Sequence, residues 1–297
     1  MCGIVGLFIK DKSLEPQLGA LLEDMLIKMS DRGPDSAGIA VYNTGSDGLT
    51  KITLQSHQPE KDFSRLSQSL DAAGVDFKIQ IKDTHAVVQI QMGAEAKLHH
   101  LLATELDGMR VMSRGENIEI YKEVGRPSAV ASRFGLSSMG GTHGIGHTRM
   151  ATESAVTTMG AHPFSTGADQ CLVHNGSLSN HNSLRRKLRH QGMSFETDND
   201  TEVAASYLTY QMQEGASLGE ALEKSLSDLD GFYTFVVGTK DGFGVLRDPI
   251  ACKPAVMAET ERYVAFGSEY RALVNLPDIG KARVWEPEPA TVYFWKH

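Results

Sequence analysis

Cysteine is scarce. The three in this chain, Cys2, Cys171 and Cys252, lie far apart and form no Cys-x-x-Cys pair. That excludes a disulfide framework, and also a zinc ribbon or an iron–sulfur cluster held by this chain alone; it fits a reducing cytoplasm. No apolar run is long enough to span a bilayer. The first residues lack the basic stretch, apolar segment and cleavage site of a secretory signal. Positive charge is also short: 29 Lys and Arg face 37 Asp and Glu, for a net charge of −8. Nucleic acid and anionic membranes are thereby disfavoured as main partners. There is no internal repeat, low-complexity tract or phosphate-binding glycine loop. The remainder, 41% hydrophobic and 22% charged over 297 residues, is a globular composition sufficient for one large domain or two ordinary ones.

The most unusual stretch comes first: Met1-Cys2-Gly3-Ile4-Val5-Gly6. A small residue after the initiator methionine favours its removal, which would leave Cys2 with a free α-amine beside its thiol. Such amines ordinarily titrate at about 7.7–8.0 and thiols at about 8.5. A nucleophile and a general base would then share one residue. If Met1 stays, the nitrogen is an amide and cannot serve as a base. The apolar run Gly3-Ile4-Val5-Gly6-Leu7-Phe8-Ile9 predicts a buried strand pinning an end that usually frays. Taken alone, Cys2 fits equally well an ordinary residue ahead of a first strand.

Leucine and methionine at helical spacing over 16–30 (Leu18, Leu21, Leu22, Met25, Met29) predict an amphipathic helix, broken by Asp31-Arg32-Gly33-Pro34-Asp35. A second strand is predicted over 36–42. Residues 43–141 are less legible. They hold two Ile/Val-rich strands within 77–92, helices over 95–106 and 128–136, and an alternating, half-exposed strand at 118–121. Further strands are predicted from 144 and at Leu172-Val173-His174, the latter closed by the turn pair Asn175-Gly176. A basic helix over 181–190, with Arg185, Arg186, Lys187 and Arg189, reads as a solvated face. Asp200 is the expected N-cap of a helix opening at Thr201. A helix over 218–229 precedes strands at 231–238, 242–247, 255–257, 263–267 and 290–295. Helices flanking strands with hairpin-like turns predict an α+β fold with largely antiparallel sheets. Cys171, in an apolar run, is expected in the core.

Five stretches carry the chemistry: Cys2-Gly3-Ile4-Val5-Gly6; Arg32-Gly33-Pro34-Asp35-Ser36-Ala37-Gly38; Gly144-Ile145-Gly146-His147-Thr148-Arg149-Met150-Ala151-Thr152; His174-Asn175-Gly176; and Asp200-Thr201-Glu202. In this order they resemble the glutaminase domain of the class II glutamine amidotransferases, which are N-terminal-nucleophile hydrolases. Arg247-Asp248-Pro249, Lys253-Pro254 and Ser268-Glu269-Tyr270-Arg271-Ala272-Leu273 are similar to that family's C-terminal signature. The resemblance spans the chain except for about 43–141. It implies a four-layer αββα sandwich and a single amidotransferase domain over 2–297, with 43–141 as a long folded insertion.

The resemblance also implies roles. Cys2 would attack the side-chain carboxamide of L-glutamine while its α-amine moves the proton. The Asn175 side chain and the Gly176 N–H would hold the oxyanion. Arg149 would bind the substrate's α-carboxylate through a bidentate fork. Asp200 would bind its α-ammonium, Thr152 would help at the carboxylate end, and Arg32 would orient the nucleophile. Taken by themselves, Asn175-Gly176 also fit a type I′ hairpin turn. Arg149 and Asp200 also fit an internal ion pair, and Asp200 a simple helix cap. His147 and His174 read as strand-end hydrogen-bonding residues. Met150 and Glu153 stand where some relatives carry an aromatic residue and a histidine, a departure confined to the loop expected to close over glutamine.

Ammonia released into neutral water becomes mostly ammonium, a poor nucleophile. The C-terminal signature ends near Leu273, which leaves too little chain for a synthase domain. The resemblance is strongest to the stand-alone amidotransferase subunits of glutamate-synthase-like complexes such as N-methylglutamate synthase. It implies a hetero-oligomer whose partner subunits carry flavin and iron–sulfur clusters. No cofactor or metal is expected in this chain, and 43–141 is the expected part of the docking surface. The competing expectation is a non-catalytic regulatory subunit that keeps the fold and binds glutamine or glutamate.

Overall fold

Every residue of the first strand is buried, because the strand lies between two apolar layers. Ile4 and Phe8 point to one core, while Val5, Leu7 and Ile9 point to another. Two-sided burial is what an unbroken apolar run signals. The computed structural model describes residues 2–45, 48–151 and 155–297.

In chain order the elements begin with β1 (Gly3–Ile9), α1 (Leu18–Lys28), β2 (Ser36–Tyr42), β3 (Leu49–Ser56), α2 (Pro59–Ala72), β4 (Phe77–Lys82) and β5 (His85–Gln91). They continue with α3 (Glu95–Thr104), β6 (Met109–Gly115), β7 (Ile118–Val124), α4 (Pro127–Phe134), β8 (His143–Arg149), β9 (Phe164–Gly167) and β10 (Gln170–Leu178). Then come α5 (His181–His190), α6 (Asp200–Gln213), α7 (Leu218–Asp228), β11 (Gly231–Thr239) and β12 (Gly242–Arg247). The last four are β13 (Val256–Glu259), β14 (Tyr263–Gly267), β15 (Arg283–Trp285) and β16 (Val292–Lys296).

Among the described residues these strands form three sheets. A seven-stranded sheet runs β15-β13-β14-β1-β8-β2-β7, and a five-stranded sheet runs β16-β12-β11-β10-β9. Each pairing in them is antiparallel. The two sheets face each other across Ile4, Phe8, Ile120, Ile145, Val173, Val236 and Phe243. Cys171 sits in this layer, and burial pushes its thiol up to about 12. On the outer face of the larger sheet α1 and α4 pack through Leu22, Met25, Val130 and Phe134. On the outer face of the smaller, α5, α6 and α7 pack through Leu184, Leu208 and Leu222. Alternation along β11 decides the split: Phe235 and Val237 turn to the helices and Val236 to the other sheet. The result is the expected αββα sandwich.

Residues 43–141 divide. A four-stranded sheet, β4-β5-β3-β6, with α2 and α3 packed on it, accounts for residues 49–115. By contrast β7 pairs with β2 from Ser36↔Val124 to Tyr42↔Ile118 and is buried along nearly its whole length. The separate unit is therefore shorter than the sequence suggested, and 118–121 belongs to the edge strand of the larger sheet and is buried rather than half-exposed.

Three local expectations are corrected. Asn175 and Gly176 do not form a hairpin turn: β10 runs on to Leu178, and they pair with Thr234 and Tyr233 of β11. Asp200 is the first residue of α6, and the cap is Asn199, whose side chain accepts from Thr201 N at 2.8 Å. Arg185 is not solvated. It is buried, and its guanidinium donates to the Asn199 carbonyl at 3.2 Å.

Candidate active site

Cys2 lies just ahead of β1, whose start is held from both sides. Gly3 pairs with Thr148 of β8. On the other side, beyond the end of β14, Ser268 closes a two-way contact with Ile4: its Oγ accepts from Ile4 N at 2.9 Å, and its N donates to Ile4 O at 2.9 Å. The Cys2 carbonyl receives two side-chain donors, Arg32 Nε at 2.9 Å and Asn175 Nδ2 at 3.3 Å. These three residues come from the chain start, the bend after α1 and the middle of the second sheet. The sandwich thus brings together what the sequence holds 30 and 173 residues apart.

Gly33 explains how Arg32 gets so close. A Cβ there would lie 2.4–2.5 Å from the Thr148 and Arg149 backbone, so only glycine lets this bend press against β8. Asp35 then secures the end of β8: its N donates to Arg149 O at 3.1 Å, and its Oδ2 accepts from Ala151 N at 2.8 Å. Gly176 is a second obligatory glycine, with φ of +149° and a would-be Cβ 2.0 Å from Phe232 O. It distorts the strand beside Asn175 in a way no side chain would allow.

Arg149 is buried at the end of β8 and contacts the Ala155 carbonyl at 3.4 Å. Asp200 opens α6 and accepts from Leu178 N at 2.9 Å, tying the helix start to the strand that carries Asn175 and Gly176. Placing a carboxylate in the first turn of a helix also complements its dipole. Thr152 and Glu153 lie outside the described residues.

Behind Asp200 sits a buried polar cluster that the sequence did not reveal as a unit. Thr201 Oγ1 lies 2.7 Å from His162 Nε2 and 3.0 Å from His174 Nδ1. His147 stacks on His162 at 4.1 Å and donates from Nε2 to the His174 carbonyl at 3.1 Å. Burial pushes the His147 imidazole down to about 3 and His162 well below its ordinary range. Burial also lowers His174, against the pull of Asp200, whose Oδ1 is 3.7 Å away. His147 and His174 are thus hydrogen-bonding residues, as read from the sequence; His162 was missed, since nothing local marks it, and Thr201, named within Asp200-Thr201-Glu202, was given no part in this cluster. Glu269, named only within the C-terminal signature, has a contact the sequence did not reveal: its Oε1 accepts from Arg32 NH1 at 2.6 Å.

A separate cleft of about 470 Å³ opens between β6, β9 and residues 192–197, with Lys122 at its floor and none of the candidate residues in its walls. Lys122 Nζ donates to the carbonyls of Met159, Ala161 and Pro163, and burial lowers its pKa to about 8. Among the described residues no group of three or more His, Cys, Asp or Glu side chains could hold a metal ion, and no helix is long and apolar enough to cross a membrane.

An αββα sandwich with a cysteine held at the start of a central strand is the frame of a glutamine amidotransferase, and comparison with known proteins agrees: the chain belongs to the class II glutamine amidotransferase family. A profile of the glutamine amidotransferase domain matches residues 147–275. The chain is 67% identical over 297 residues to the glutamine amidotransferase-like protein GlxB of Rhizobium meliloti, covering 100% of this chain and 99% of that one. It is 32% identical over 167 residues to the amidophosphoribosyltransferase of Methanocaldococcus jannaschii, covering 55% of this chain but 36% of the relative. The fold is shared with the glutamine phosphoribosylpyrophosphate amidotransferase of B. subtilis: a TM-score of 0.63 at 20% identity, over 99% of this chain and 47% of that one.

Proposed function

We propose that this chain is a glutaminase subunit that hydrolyses L-glutamine to glutamate and ammonia and passes the nitrogen to a partner synthase. The observation that carries it is the convergence of Arg32 and Asn175 on the carbonyl of Cys2. In this reading Met1 has been removed. The Cys2 thiol adds to the glutamine Cδ, and its proton goes to the Cys2 α-amine. The oxyanion is held by Asn175 Nδ2 and the Gly176 N–H. As the C–N bond breaks, the amine returns the proton to the leaving nitrogen, giving ammonia and a γ-glutamyl thioester. Water then adds to the thioester, the amine takes and returns its proton, and glutamate leaves with the thiol restored. Arg149 and Asp200 clamp the two charged ends of the free amino acid, with Thr152 assigned by resemblance alone to help at the carboxylate end, and that clamp favours glutamine over a peptide substrate.

The acceptor chemistry belongs to other chains in this reading. Resemblance favours a glutamate-synthase-like complex, with N-methylglutamate synthase the leading example and flavin and iron–sulfur clusters in the partner subunits. The second reading, a non-catalytic subunit that binds glutamine or glutamate, would use the same clamp without turnover. Intact mass after exposure to a glutamine-analogue electrophile separates the two. A single adduct on Cys2 of a chain lacking Met1 is expected. A processed chain that takes no label would leave only the binding subunit. Purification from the native host tests the complex: an isolated monomer, fully active and unaffected by co-encoded chains, would overturn it.

A further inference from the structure

We infer that Glu269 is a positioning residue for the nucleophile, acting through Arg32. The inference rests on the reading of Cys2 as the nucleophile and adds a residue which that reading does not contain.

The Arg32 side chain is 8% exposed, and a buried guanidinium needs a counter-charge and fixed acceptors. Among the described residues its ion-pair partner is Glu269, with NH1 to Oε1 at 2.6 Å. Arg32 NH2 is buried with no hydrogen-bond partner. The planar group is therefore set by two points: Nε on the Cys2 carbonyl and NH1 on Glu269. Remove the second, and the guanidinium can rotate about the first, taking the carbonyl of the nucleophilic residue with it. The neighbouring residue does related work, since Ser268 holds Ile4 by both its N–H and its C=O. The Ser268-Glu269 pair thus fixes residue 4 directly and residue 2 through an arginine.

Beyond Glu269 the charges alternate outward. Glu269 Oε2 lies 2.7 Å from Arg271 Nε, and Arg271 NH1 donates to Asp31 Oδ2 at 3.2 Å. Side-chain exposure climbs along this ladder, from 8% at Arg32 to 33% at Glu269, 42% at Arg271 and 86% at Asp31. Solvent screens the outer rungs, so the inner rung governs the nucleophile and Asp31 is a built-in control. Arg149 and Asp200, the proposed clamp on glutamine, lie on β8 and α6 and touch none of these rungs in the contacts above. Loss of Glu269 should therefore change turnover and spare affinity.

The test uses the full processed chain. Glu269→Gln keeps the shape and deletes the charge. It should lower kcat for glutamine hydrolysis about tenfold, a loss typical of a reacting group misplaced by a fraction of an ångström, with KM within about twofold of wild type. Alkylation of Cys2 by iodoacetamide, resolved by peptide mass from that of exposed Cys252, should change rate in parallel. Glu269→Asp should recover part of both, and Asp31→Asn should match wild type in both. Added to Arg32→Gln, Glu269→Gln should cost little more, because the two act as one unit. Wild-type kcat in Glu269→Gln, a raised KM with kcat intact, or full additivity with Arg32→Gln would each overturn the inference. If wild type itself turns over no glutamine, the glutaminase reading fails separately. The alkylation series still decides: equal Cys2 rates in wild type and Glu269→Gln sink the positioning role, and unequal rates uphold it.

Discussion

The 49–115 unit and the sandwich are both antiparallel sheets covered by helices, yet they place their buried polar groups differently. The helix-covered core of the unit is apolar: Ile52, Leu54, Phe63, Leu66, Val88 and Ile90. The ends of β8 and β10 bury Arg149, His147, His174 and Asn175, and leave ring nitrogens of His147, His162 and His174 without partners. Burying polar groups costs free energy unless they are paired. The unit keeps them out of its helix-covered core, with Thr53, Gln55, His85 and Ser113 buried outside it, whereas the sandwich gathers them beside Cys2. Two regions of similar construction thus serve different ends. One packs its helices on an apolar face, and the other clusters buried histidines and an arginine next to Cys2.

Cys2→Ala breaks the comparison most severely. Glutamine hydrolysis should vanish while the melting temperature stays near wild type, and measurable turnover in this variant would refute the thioester route. Asn175→Ala comes next, with kcat expected to fall by about 10²–10³-fold for the loss of an oxyanion donor. Replacing Arg149 or Asp200 by alanine should weaken apparent glutamine affinity, leaving half of a charge clamp unpaired at a cost of about 2–5 kcal/mol. Unchanged affinity in either variant would remove that residue from the clamp. Leu66→Ala acts on the other region. It should cost about 2–5 kcal/mol of stability, read by denaturant unfolding, and leave kcat and KM of the folded protein alone. The smallest effect is of pH. His147 is held down to about 3 in the folded chain, so between the ordinary imidazole value of about 6.5 and 3 only the unfolded chain binds the proton. Stability is full above 6.5 and falls as pH drops through that window, by at most about 1.4 kcal/mol per unit for one such group. A level unfolding free energy between pH 7 and 5 would contradict the burial of neutral imidazoles.

The sandwich was legible because its strands carry local signals. The β1 run and the helical spacing of α1 identify themselves, and the order of the motifs supplied the layers. Where the sequence misled, competing chemistries share one spelling. Asn-Gly after an apolar run is the signal for a tight turn, yet here the pair sits inside β10, with the glycine at positive φ. Thr197-Asp198-Asn199-Asp200-Thr201 offers several residues able to cap a helix, and only three-dimensional placement chose Asn199 and freed Asp200 to meet Leu178. The pairing of β7 with β2 joins residues about 80 apart, which no window of sequence reports. Glu269 was visible within a signature, but its partner lies 237 residues away.

The grip on the second residue falls on its main-chain carbonyl: both Arg32 and Asn175 donate to the Cys2 oxygen rather than to its sulfur. Seat and occupant are therefore separable. A serine or threonine at position 2 would meet the same donors and precede the same strand, because neither donor reads the side chain. What the fold grips here is a main-chain position, and the side chain it carries takes no part in the grip.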